Sequence, residues 1–413
     1  MKVALIDVNC KHSSTGKIVY DLYTELNNNG HEASVYYGRG PKIKERNIFK
    51  FGIDLETYFH ALMTRITGLT GVYSPFSTWR LIRRLKKFKP DIVHIHELHA
   101  YFINLKPIMN FLKKAPLKVI WTFHCEFMFT GKCAYTYSCN KWETECNNCP
   151  QVKKYPKSWI FDFSNPMFRK KREFFAGFNN LTIVTPSKWL ANRVSRSFLR
   201  GMQILVINNG VDQNIFKPSK FDDFNLQNKI ADKKVILSVA PNILEDRKGG
   251  KKVLSIADKL INENIIFILI GVPKNYLNER ENIIVLERTS NQIELAKYYS
   301  LADKFLILSD MENYPTTCLE ALSCGTEIIG YDNGGTSETA SLGGGKFIKS
   351  DDEIRLIEEI LVESKENLDI KSLYTYIHSK ERMNEEYLKL YKQKLDENPM
   401  KITESIINEN LTC

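Results

Sequence analysis

Two glutamates eight positions apart, Glu312 and Glu320, frame the stretch of this chain best suited to chemistry. Pro315 lies between them and suits the first turn of a helix, where its missing N–H would have no partner. Gly325 suits the end of that helix, where the backbone turns left-handed. We therefore expect Glu312 in the loop that enters the helix and Glu320 about one and a half turns inside it. Two carboxylates placed in this way can contact two parts of one ligand.

Two adjacent cations, Arg247 and Lys248, could meet an anionic ligand. They follow an apolar run at 235–239 that is typical of a buried strand, and the loop 241–246 separates them from it. In open α/β sheets, ligands bind beyond the carboxyl ends of the strands, so this position suits phosphate binding. The alternative is a pair of solvated loop cations.

Glycines mark two further turns where the backbone could approach a ligand closely. Gly16 follows the first predicted strand and precedes a helix predicted over 18–27, whose N-terminus would face phosphates. The surrounding segment is neither a complete dinucleotide-binding fingerprint nor a P-loop. Gly334 and Gly335 follow another predicted strand, and Glu338 just after them could serve as a helix cap.

Four of the nine cysteines fall within 17 residues, at Cys133, Cys139, Cys146 and Cys149. The Cys-x2-Cys pair that ends this span is typical of a zinc site, and the other two cysteines could complete a tetrahedron. We predict a structural zinc ion with no open coordination position and hence no catalytic part. The alternatives are scattered thiols or disulfides, and a reducing cytoplasm disfavours the latter.

Apolar, β-rich runs alternate with amphipathic stretches along the chain, which is typical of parallel α/β sheets. The strands predicted in the first half are 3–8, 32–37, 92–95, 118–123 and 182–185. Those predicted in the second half are 235–239, 265–270, 283–286, 305–308 and 326–330. Helices are predicted, among other places, at 252–262, 292–300 and 381–395.

Length and charge both predict two domains. A chain of 413 residues exceeds one ordinary domain. Residues 1–200 carry 32 lysines and arginines against 14 acidic residues, a net charge of +18, whereas the remainder carries −8. We predict a first domain at 1–205 with a cysteine-rich insertion at 130–150, a second domain at 206–380, a C-terminal helix at 381–395 and a tail at 396–413.

Two basic segments in the first half could lie on an anionic membrane surface. Residues 80–89 combine cations with apolar residues at helical spacing, and residues 168–178 mix cations with aromatics. The alternative is a solvated helix face. No nucleic-acid motif accompanies the charge, so we expect no nucleic-acid partner. No apolar run approaches the roughly 20 residues that span a bilayer, and the first segment is too short for a signal peptide.

The stretch from Glu312 to Gly325 closely resembles the paired-glutamate motif of the retaining glycosyltransferases of family 4. The resemblance extends from Met1 to about Tyr391 and is closest to bacterial members that build capsule, exopolysaccharide and lipopolysaccharide O-antigen. It implies the GT-B fold, an α/β architecture of two Rossmann-like domains with parallel sheets facing a central cleft. The first domain would bind the acceptor and the second the nucleotide sugar, and the C-terminal helix would cross back to the first domain.

The resemblance also implies roles for residues. Glu312 would contact the donor sugar, and Glu320 would bind the ribose hydroxyls of the nucleotide. Lys248 matches a lysine that grips the diphosphate. The family's arginine usually lies several residues earlier, at 241–243 here, so Arg247 is the candidate to replace it. His124 matches a histidine that contacts the donor sugar.

The remaining candidates are assigned less directly. Gly16 matches small residues that lie near the diphosphate and acceptor in the family, and Gly334 and Gly335 permit tight passage of the backbone near the donor. We assign His96, Glu97 and His99 to the acceptor side; the alternatives are a metal site or purely structural side chains, and the placement of the histidines on a strand and its loop disfavours the metal.

We therefore expect a cytoplasmic, peripheral membrane hexosyltransferase on the inner face of the cell membrane. It would move a sugar from a nucleotide-diphosphate sugar to a saccharide acceptor, lipid-linked, in bacterial surface polysaccharide synthesis. The absence of an Asp-x-Asp motif favours a mechanism without a catalytic metal. The alternatives are a transferase acting on a small soluble acceptor, a non-catalytic GT-B binding scaffold and a nucleic-acid-binding module.

Overall fold

The computed structural model describes residues 1–276, 280–363 and 374–397. The chain divides into two compact units. Unit 1 comprises Met1–Pro186, Ala191–Ile207 and the chain from Asn384 onward, and unit 2 comprises Ser187–Leu190 and Asn208–Met383. Most of the predicted tail at 396–413 lies outside the described residues, as does Cys413.

Unit 1 contains a seven-stranded parallel sheet in the order β3-β2-β1-β4-β5-β6-β7. Its strands are β1 (Lys2–Asp7), β2 (Glu32–Tyr37), β3 (Ile48–Lys50), β4 (Ile92–Ile95), β5 (Lys118–Thr122), β6 (Leu181–Thr185) and β7 (Ile204–Val206). The helices that connect or follow these strands are α1 (Ser13–Asn28), α2 (Asp54–Thr67), α3 (Pro75–Phe88), α4 (Leu105–Lys114), α5 (Ser164–Phe175) and α6 (Lys188–Arg196).

Unit 2 contains a six-stranded parallel sheet in the order β10-β9-β8-β11-β12-β13. Its strands are β8 (Lys234–Val239), β9 (Ile265–Ile270), β10 (Ile283–Leu286), β11 (Lys304–Ile307), β12 (Glu327–Tyr331) and β13 (Gly345–Ile348). The remaining helices are α7 (Phe224–Ile230), α8 (Gly250–Lys259), α9 (Gln292–Leu301), α10 (Thr316–Ser323), α11 (Glu353–Leu361) and α12 (Lys380–Asp396).

The sheet of unit 2 is covered on both faces, which explains its continuous apolar strands. All six residues of β9 are buried. Ile266 and Ile268 belong to one apolar cluster, whereas Phe267 and Leu269 belong to a second. Because successive side chains of a strand point to opposite faces, the two clusters are the cores above and below the sheet.

The predicted strands agree with the structure to within one residue at either end. The three strands that were not predicted, β3, β7 and β13, have at most four residues each and lie at sheet edges. Helix α10 follows Pro315 and ends before Gly325, whose φ of 86° is left-handed, so both of these predicted signals are confirmed. One prediction was wrong: α1 begins at Ser13 and not near residue 18.

The C-terminal part of helix α12 contributes to the core of unit 1. Residues from Asn384 onward are assigned to unit 1. Tyr387 and Tyr391 are buried, and the Tyr391 hydroxyl lies 2.6 Å from Nδ1 of His94 on β4. The chain therefore returns to unit 1 after completing unit 2.

Candidate active site

Three loops of unit 2 carry the residues predicted to bind a donor. They follow β8, β11 and β12, which are neighbours in the sheet. Parallel neighbours end at one edge of a sheet, so the loops that follow them meet there. The loop after β8 carries Arg247 and Lys248, the loop after β11 carries Glu312, and the loop after β12 carries Gly334 and Gly335.

Glu312 joins the two predicted cations. Its Oε1 accepts hydrogen bonds from Lys248 Nζ at 2.7 Å and from Arg247 Nη1 at 3.1 Å. Only 12% of the Glu312 side chain is exposed, and burial alone would raise its pKa. The charges of Lys248 and Arg247 outweigh burial and hold the pKa of Glu312 below its ordinary value. The cluster is therefore a carboxylate between two cations.

Close backbone contacts hold this cluster. Gly334 has a φ of 78°, and a Cβ built there would lie 2.0 Å from the Glu312 carbonyl oxygen. The N–H of Gly335 donates to the same oxygen at 3.0 Å. On the other side, the carbonyl of Arg247 accepts from the N–H of Asp310 at 2.9 Å. The loops carrying the cations, the carboxylate and the glycines are thus tied together by main-chain hydrogen bonds.

Glu320 lies on α10 in a different environment. It is buried, and the Tyr299 hydroxyl of α9 donates to its Oε2 at 3.0 Å. Cys318, buried on the same helix, interacts electrostatically with Glu312, Glu320 and Lys248. Glu320 therefore belongs to the same region as the ion-paired cluster, although its hydrogen-bond partner is a tyrosine.

Two further polar groups of this region have structural contacts. Both carboxylate oxygens of Glu338 accept backbone N–H groups, from Lys188 at 2.7 Å and from Trp189 at 2.6 Å. Glu338 therefore caps the first turn of α6. The Ser187 hydroxyl donates to Oδ1 of Asn313, the residue after Glu312. Sequence reasoning did not single out Ser187 or Asn313, because their pairing across 126 positions leaves no local pattern.

Unit 1 has a polar centre of its own, organised by a residue that sequence reasoning missed. Asp7 ends β1 and is fully buried. Its Oδ1 accepts from the N–H of Glu97 at 3.1 Å, and its Oδ2 accepts from the Thr15 hydroxyl at 3.0 Å. Burial and the charge of Glu97 raise the pKa of Asp7 to about 7.

The predicted acceptor-side residues lie around Asp7. Glu97 Oε2 lies 2.6 Å from His99 Nε2 and accepts a weak hydrogen bond from the Cys125 thiol at 3.5 Å. Burial would raise the pKa of Glu97, but His99 outweighs this effect and lowers it. Burial would lower the pKa of His99, but Glu97 raises it. Each side chain therefore favours the charged form of the other.

His124 is brought to this centre as well. Its Nε2 lies 3.0 Å from Nδ1 of His96, and the two rings stack at 15°. Burial lowers the pKa of His124 to about 4, so the imidazole is neutral at pH 7. His94 packs against the His96 ring, but both of its nitrogens are engaged, with the Tyr391 hydroxyl of α12 and the Thr122 hydroxyl. Gly16 lies in the first turn of α1, where it packs against Asn9.

The four loop cysteines also lie in unit 1. Cys133 is buried, and Cys139, Cys146 and Cys149 are half-buried. None of the cysteines in the described part of the chain forms a disulfide. Within the same described residues, the group of metal-ligating side chains whose ligand atoms all lie within 4.8 Å of one another is Glu97, His99 and Cys125. The zinc prediction for the four cysteines stays a prediction.

The two centres suit different kinds of ligand group. The centre of unit 2 presents two fixed cations beside a carboxylate, which suits an anionic ligand with polar substituents. The centre of unit 1 groups carboxyl and imidazole side chains whose pKa values are displaced by burial and by one another, which suits proton transfer or hydroxyl recognition.

Two protein-family models match this chain. "Glycosyltransferase Family 4" matches residues 15–214, and "Glycosyl transferases group 1" matches residues 219–371. Among curated proteins, the chain is 25% identical over 280 residues to the putative colanic acid biosynthesis glycosyl transferase WcaC of Escherichia coli, covering 65% of this chain and 66% of that protein. The chain thus spans just under two thirds of that relative and about half of the sulfoquinovosyl transferase SQD2 of Arabidopsis thaliana.

Solved structures share the fold. Sucrose-phosphate synthase from Thermosynechococcus elongatus superposes with a TM-score of 0.67 at 13% identity and covers 95% of this chain and 98% of its own. The Anabaena protein HepE in complex with UDP-glucose gives 0.63 at 13% identity over 95% of this chain and 100% of its own. These likenesses confirm the predicted architecture of two Rossmann-like units. In the described ranges, no helix is both long and apolar enough to cross a bilayer.

Proposed function

From the premise that this chain belongs to family 4 of the glycosyltransferases, as predicted, we propose that it retains anomeric configuration and works without a catalytic metal. The donor is a nucleotide-diphosphate sugar bound by unit 2. The acceptor is a lipid-linked saccharide in the synthesis of a bacterial surface polysaccharide. The relative WcaC, named for colanic acid biosynthesis, supports the polysaccharide class.

The ion-paired cluster of unit 2 carries this proposal. When the bond between sugar and diphosphate breaks, negative charge grows on the leaving phosphate and positive charge on the sugar. Arg247 and Lys248 provide two cations within 3.1 Å of one carboxylate oxygen, so the site already holds both signs of charge in place. The cations stabilise the leaving diphosphate, and Glu312 contacts the sugar. This arrangement supplies the electrostatic stabilisation that a metal ion gives in other transferases.

The retaining outcome follows a front-face path. Retaining glycosidases need two opposed carboxylates, one of them a nucleophile. Glu312 is instead engaged with Lys248 and Arg247, which lowers its basicity and makes it a weak nucleophile. In the proposed step, the C1–diphosphate bond breaks, the acceptor oxygen bonds to C1 from the same face, and the acceptor proton passes to the leaving phosphate.

Unit 1 provides the acceptor centre in this proposal. The fully buried carboxyl of Asp7 positions the Thr15 hydroxyl and the backbone of Glu97. His124 is half-buried and neutral at pH 7, so its imidazole can accept or donate a hydrogen bond, and the contact between Glu97 and His99 orders the loop after β4. Such groups recognise sugar hydroxyls, which are both donors and acceptors.

The membrane part of the proposal rests on exposed aromatics of α2 and α3. Tyr58 and Phe59 on α2 and Phe76 and Trp79 on α3 are exposed. The two helices are joined because Glu56 of α2 accepts the backbone N–H groups at the start of α3. The same helix α3 carries the predicted basic segment at 80–89. Aromatics beside cations suit the interface of an anionic membrane.

A nucleotide-sugar panel tests the enzymatic proposal. UDP-, GDP-, ADP- and TDP-sugars are screened for a rise in melting temperature and then for transfer. A ligand at about 100 times its Kd stabilises the native state by about 2.7 kcal/mol. Glu320→Ala should abolish the rise, whereas Glu294→Ala, an exposed glutamate of α9, should keep it. The proposal is wrong if no nucleotide sugar raises the melting temperature, or if Glu320→Ala leaves the rise unchanged.

Vesicle sedimentation tests the membrane part separately. The full chain should sediment with vesicles containing anionic phospholipid and much less with neutral vesicles. Phe76→Ser combined with Trp79→Ser should reduce sedimentation at least about tenfold, because each removes exposed apolar area. Ile354→Ser removes an equally exposed apolar residue from unit 2 and serves as the control. Equal loss in both variants would contradict docking through α3.

A further inference from the structure

The loop between β5 and α5 is long and irregular but is packed like a core. It runs from residue 123 to residue 163 and contains only two single-turn 3-10 helices in regular structure. Loops beyond about 15 residues without secondary structure are uncommon in compact domains. Here Lys132, Thr136 and Trp142 are nonetheless buried. Something other than a backbone ladder must hold this segment.

The four cysteines of the loop form one connected group. The thiols of Cys133 and Cys149 lie close enough to interact with each other. Cys146 interacts electrostatically with Cys139, Cys133 and Cys149. No three of the four sulfurs lie all within 4.8 Å of one another, whereas the sulfurs of a zinc tetrathiolate are about 3.8 Å apart, given Zn–S bonds of about 2.3 Å. Binding an ion would require the loop to bring these sulfurs closer together.

Backbone donors already point at two of these sulfurs. The N–H of Gly131 donates to Cys146 Sγ at 3.3 Å, and the N–H of Gln151 lies near the Cys149 sulfur. Hydrogen bonds from backbone N–H groups stabilise a thiolate more than a thiol, because they favour the charged acceptor. These donors orient ligand atoms in the way that outer-shell groups do around metal sites.

Two buried lysines give an independent observation. Lys171 is fully buried, and its Nζ donates to the carbonyls of Thr130, at 3.1 Å, and Phe127. Lys132 is buried as well, and its Nζ donates to the carbonyl of Val152 at 2.6 Å. A buried ammonium group is costly unless an opposite charge compensates it.

Both lysines lie beside the loop cysteines. Lys171 interacts with Cys133 and Cys146, and Lys132 interacts with Cys133, Cys149 and also Asp162. Four thiolates on a Zn²⁺ ion carry a net charge of −2, so a bound ion would place negative charge beside both side chains.

We propose that Cys133, Cys139, Cys146 and Cys149 bind one zinc ion that fixes the loop 123–163 onto unit 1. Each ligating cysteine gives its proton to solvent, and the ion undergoes no redox change. The site is structural because four sulfurs leave no open position. It fixes the wall of the acceptor centre, since Tyr155 of the same loop contacts His99 at 3.0 Å and Phe127 packs against the His99 ring.

Metal content of the full chain tests the proposal. Protein purified under reducing conditions should contain about one zinc ion per chain by elemental analysis. Cys146→Ser combined with Cys149→Ser should contain less than about a tenth of this, whereas Cys10→Ser, a buried cysteine outside the loop, should retain it. Protein reconstituted with cobalt should show the thiolate-to-metal charge-transfer absorption of a tetrahedral site.

Two results would overturn the proposal. One is wild-type protein that neither contains zinc nor takes up one equivalent on reconstitution. The other is loss of zinc in His99→Gln with retention in the double cysteine variant, which would assign the ion to Glu97, His99 and Cys125. If the double variant fails to fold, a strong chelator replaces it: removal of zinc should accelerate protease cleavage within 123–163 at least about tenfold, and unchanged cleavage would overturn the proposal.

Discussion

The two polar centres lie at corresponding places of two parallel sheets but are built on opposite electrostatic plans. In unit 2, Glu312 is matched by Arg247 and Lys248, which hold the pKa of its carboxyl below the ordinary value. In unit 1, Asp7 and His124 have pKa values of about 7 and 4, so their charges depend on their surroundings. The electrostatics therefore suit the sheet edge of unit 2 to binding an anion and the sheet edge of unit 1 to binding hydroxyl groups or exchanging protons.

The glycines of the two centres differ in how much room the backbone leaves for a side chain. Gly334 has a left-handed backbone, and its missing side chain admits the Glu312 carbonyl oxygen. Gly16 has ordinary helical backbone, and a Cβ there would lie 3.3 Å from Asn9. Position 334 therefore requires glycine, whereas position 16 could accept a small side chain after a slight shift of Asn9.

The largest effect should come from removing a fixed charge. Lys248→Ala takes away the cation 2.7 Å from Glu312 and should lower kcat by about 10²–10³, the usual loss when one preorganised stabilising group is deleted. Steady-state transfer with a saturating donor measures it. Lys251→Ala, an exposed lysine paired with Asp246, is the control and should change kcat less than about twofold. If Lys248→Ala lowers kcat by less than about fivefold, the cation beside Glu312 is not needed for transfer, and the proposed electrostatic role of unit 2 is wrong.

The second effect concerns the glycines. Gly334→Ala forces a side chain into left-handed backbone, which costs about 1–2 kcal/mol, and into a 2.0 Å contact, so the Glu312 loop must shift. Transfer activity should fall at least about 100-fold. Gly16→Ala should lose less than about tenfold, because Asn9 can yield by a few tenths of an ångström. Equal losses in both variants, measured with melting temperatures to confirm folding, would contradict this difference.

The sequence predicted the long strands well, but it predicted the short strand β3 and the start of α1 poorly, for physical reasons. The strands were predictable because runs such as Ile265–Ile270 are apolar throughout, as burial on both faces requires. The short strand β3 carries too few residues for any pattern. Gly16 was expected before a helix but lies within the first turn of α1. The start of this helix was hard to predict because no capping side chain marks it.

The same limit applied to the site. Arg247, Lys248 and Glu312 could be grouped from sequence because each follows a predicted strand, and strand ends share an edge. Asp7 was not predicted, since a single aspartate at the end of a strand has no distinguishing neighbour in sequence. Its partners Thr15 and Glu97 lie 8 and 90 positions away and are set by strand order. Long-range pairing of this kind leaves no local signal.

The smallest effect separates the units by pH. Burial lowers the pKa of His60 to about 3 and that of His124 to about 4, and it also lowers those of His94 and His96. In unit 2, burial lowers the pKa of His378. A histidine whose native pKa is depressed contributes stability that is present above about 6.5 and lost as the pH falls towards the native value. Asp7, with a raised pKa, acts in the opposite direction between about 4 and 7.

Unit 1 should therefore lose more stability than unit 2 between pH 7 and pH 5, since its four histidines with depressed pKa values outweigh Asp7, His99 and Glu126, whose pKa values are raised. Each fully buried histidine costs about 2 kcal/mol at pH 5, because the unfolded chain binds a proton that the native chain refuses. The His60 ring forms a hydrogen bond with the Ser74 hydroxyl and packs against Tyr73 and Tyr101, and it lies outside the candidate site, so His60→Gln tests the effect without altering that site. The variant should narrow the difference in unfolding free energy between pH 7 and pH 5 by about 2 kcal/mol, measured by denaturant titration at both pH values. If His60→Gln leaves the pH 7 to pH 5 difference in unfolding free energy unchanged, His60 is protonated in the native state at pH 5. The pH dependence expected of unit 1 would then not come from this histidine.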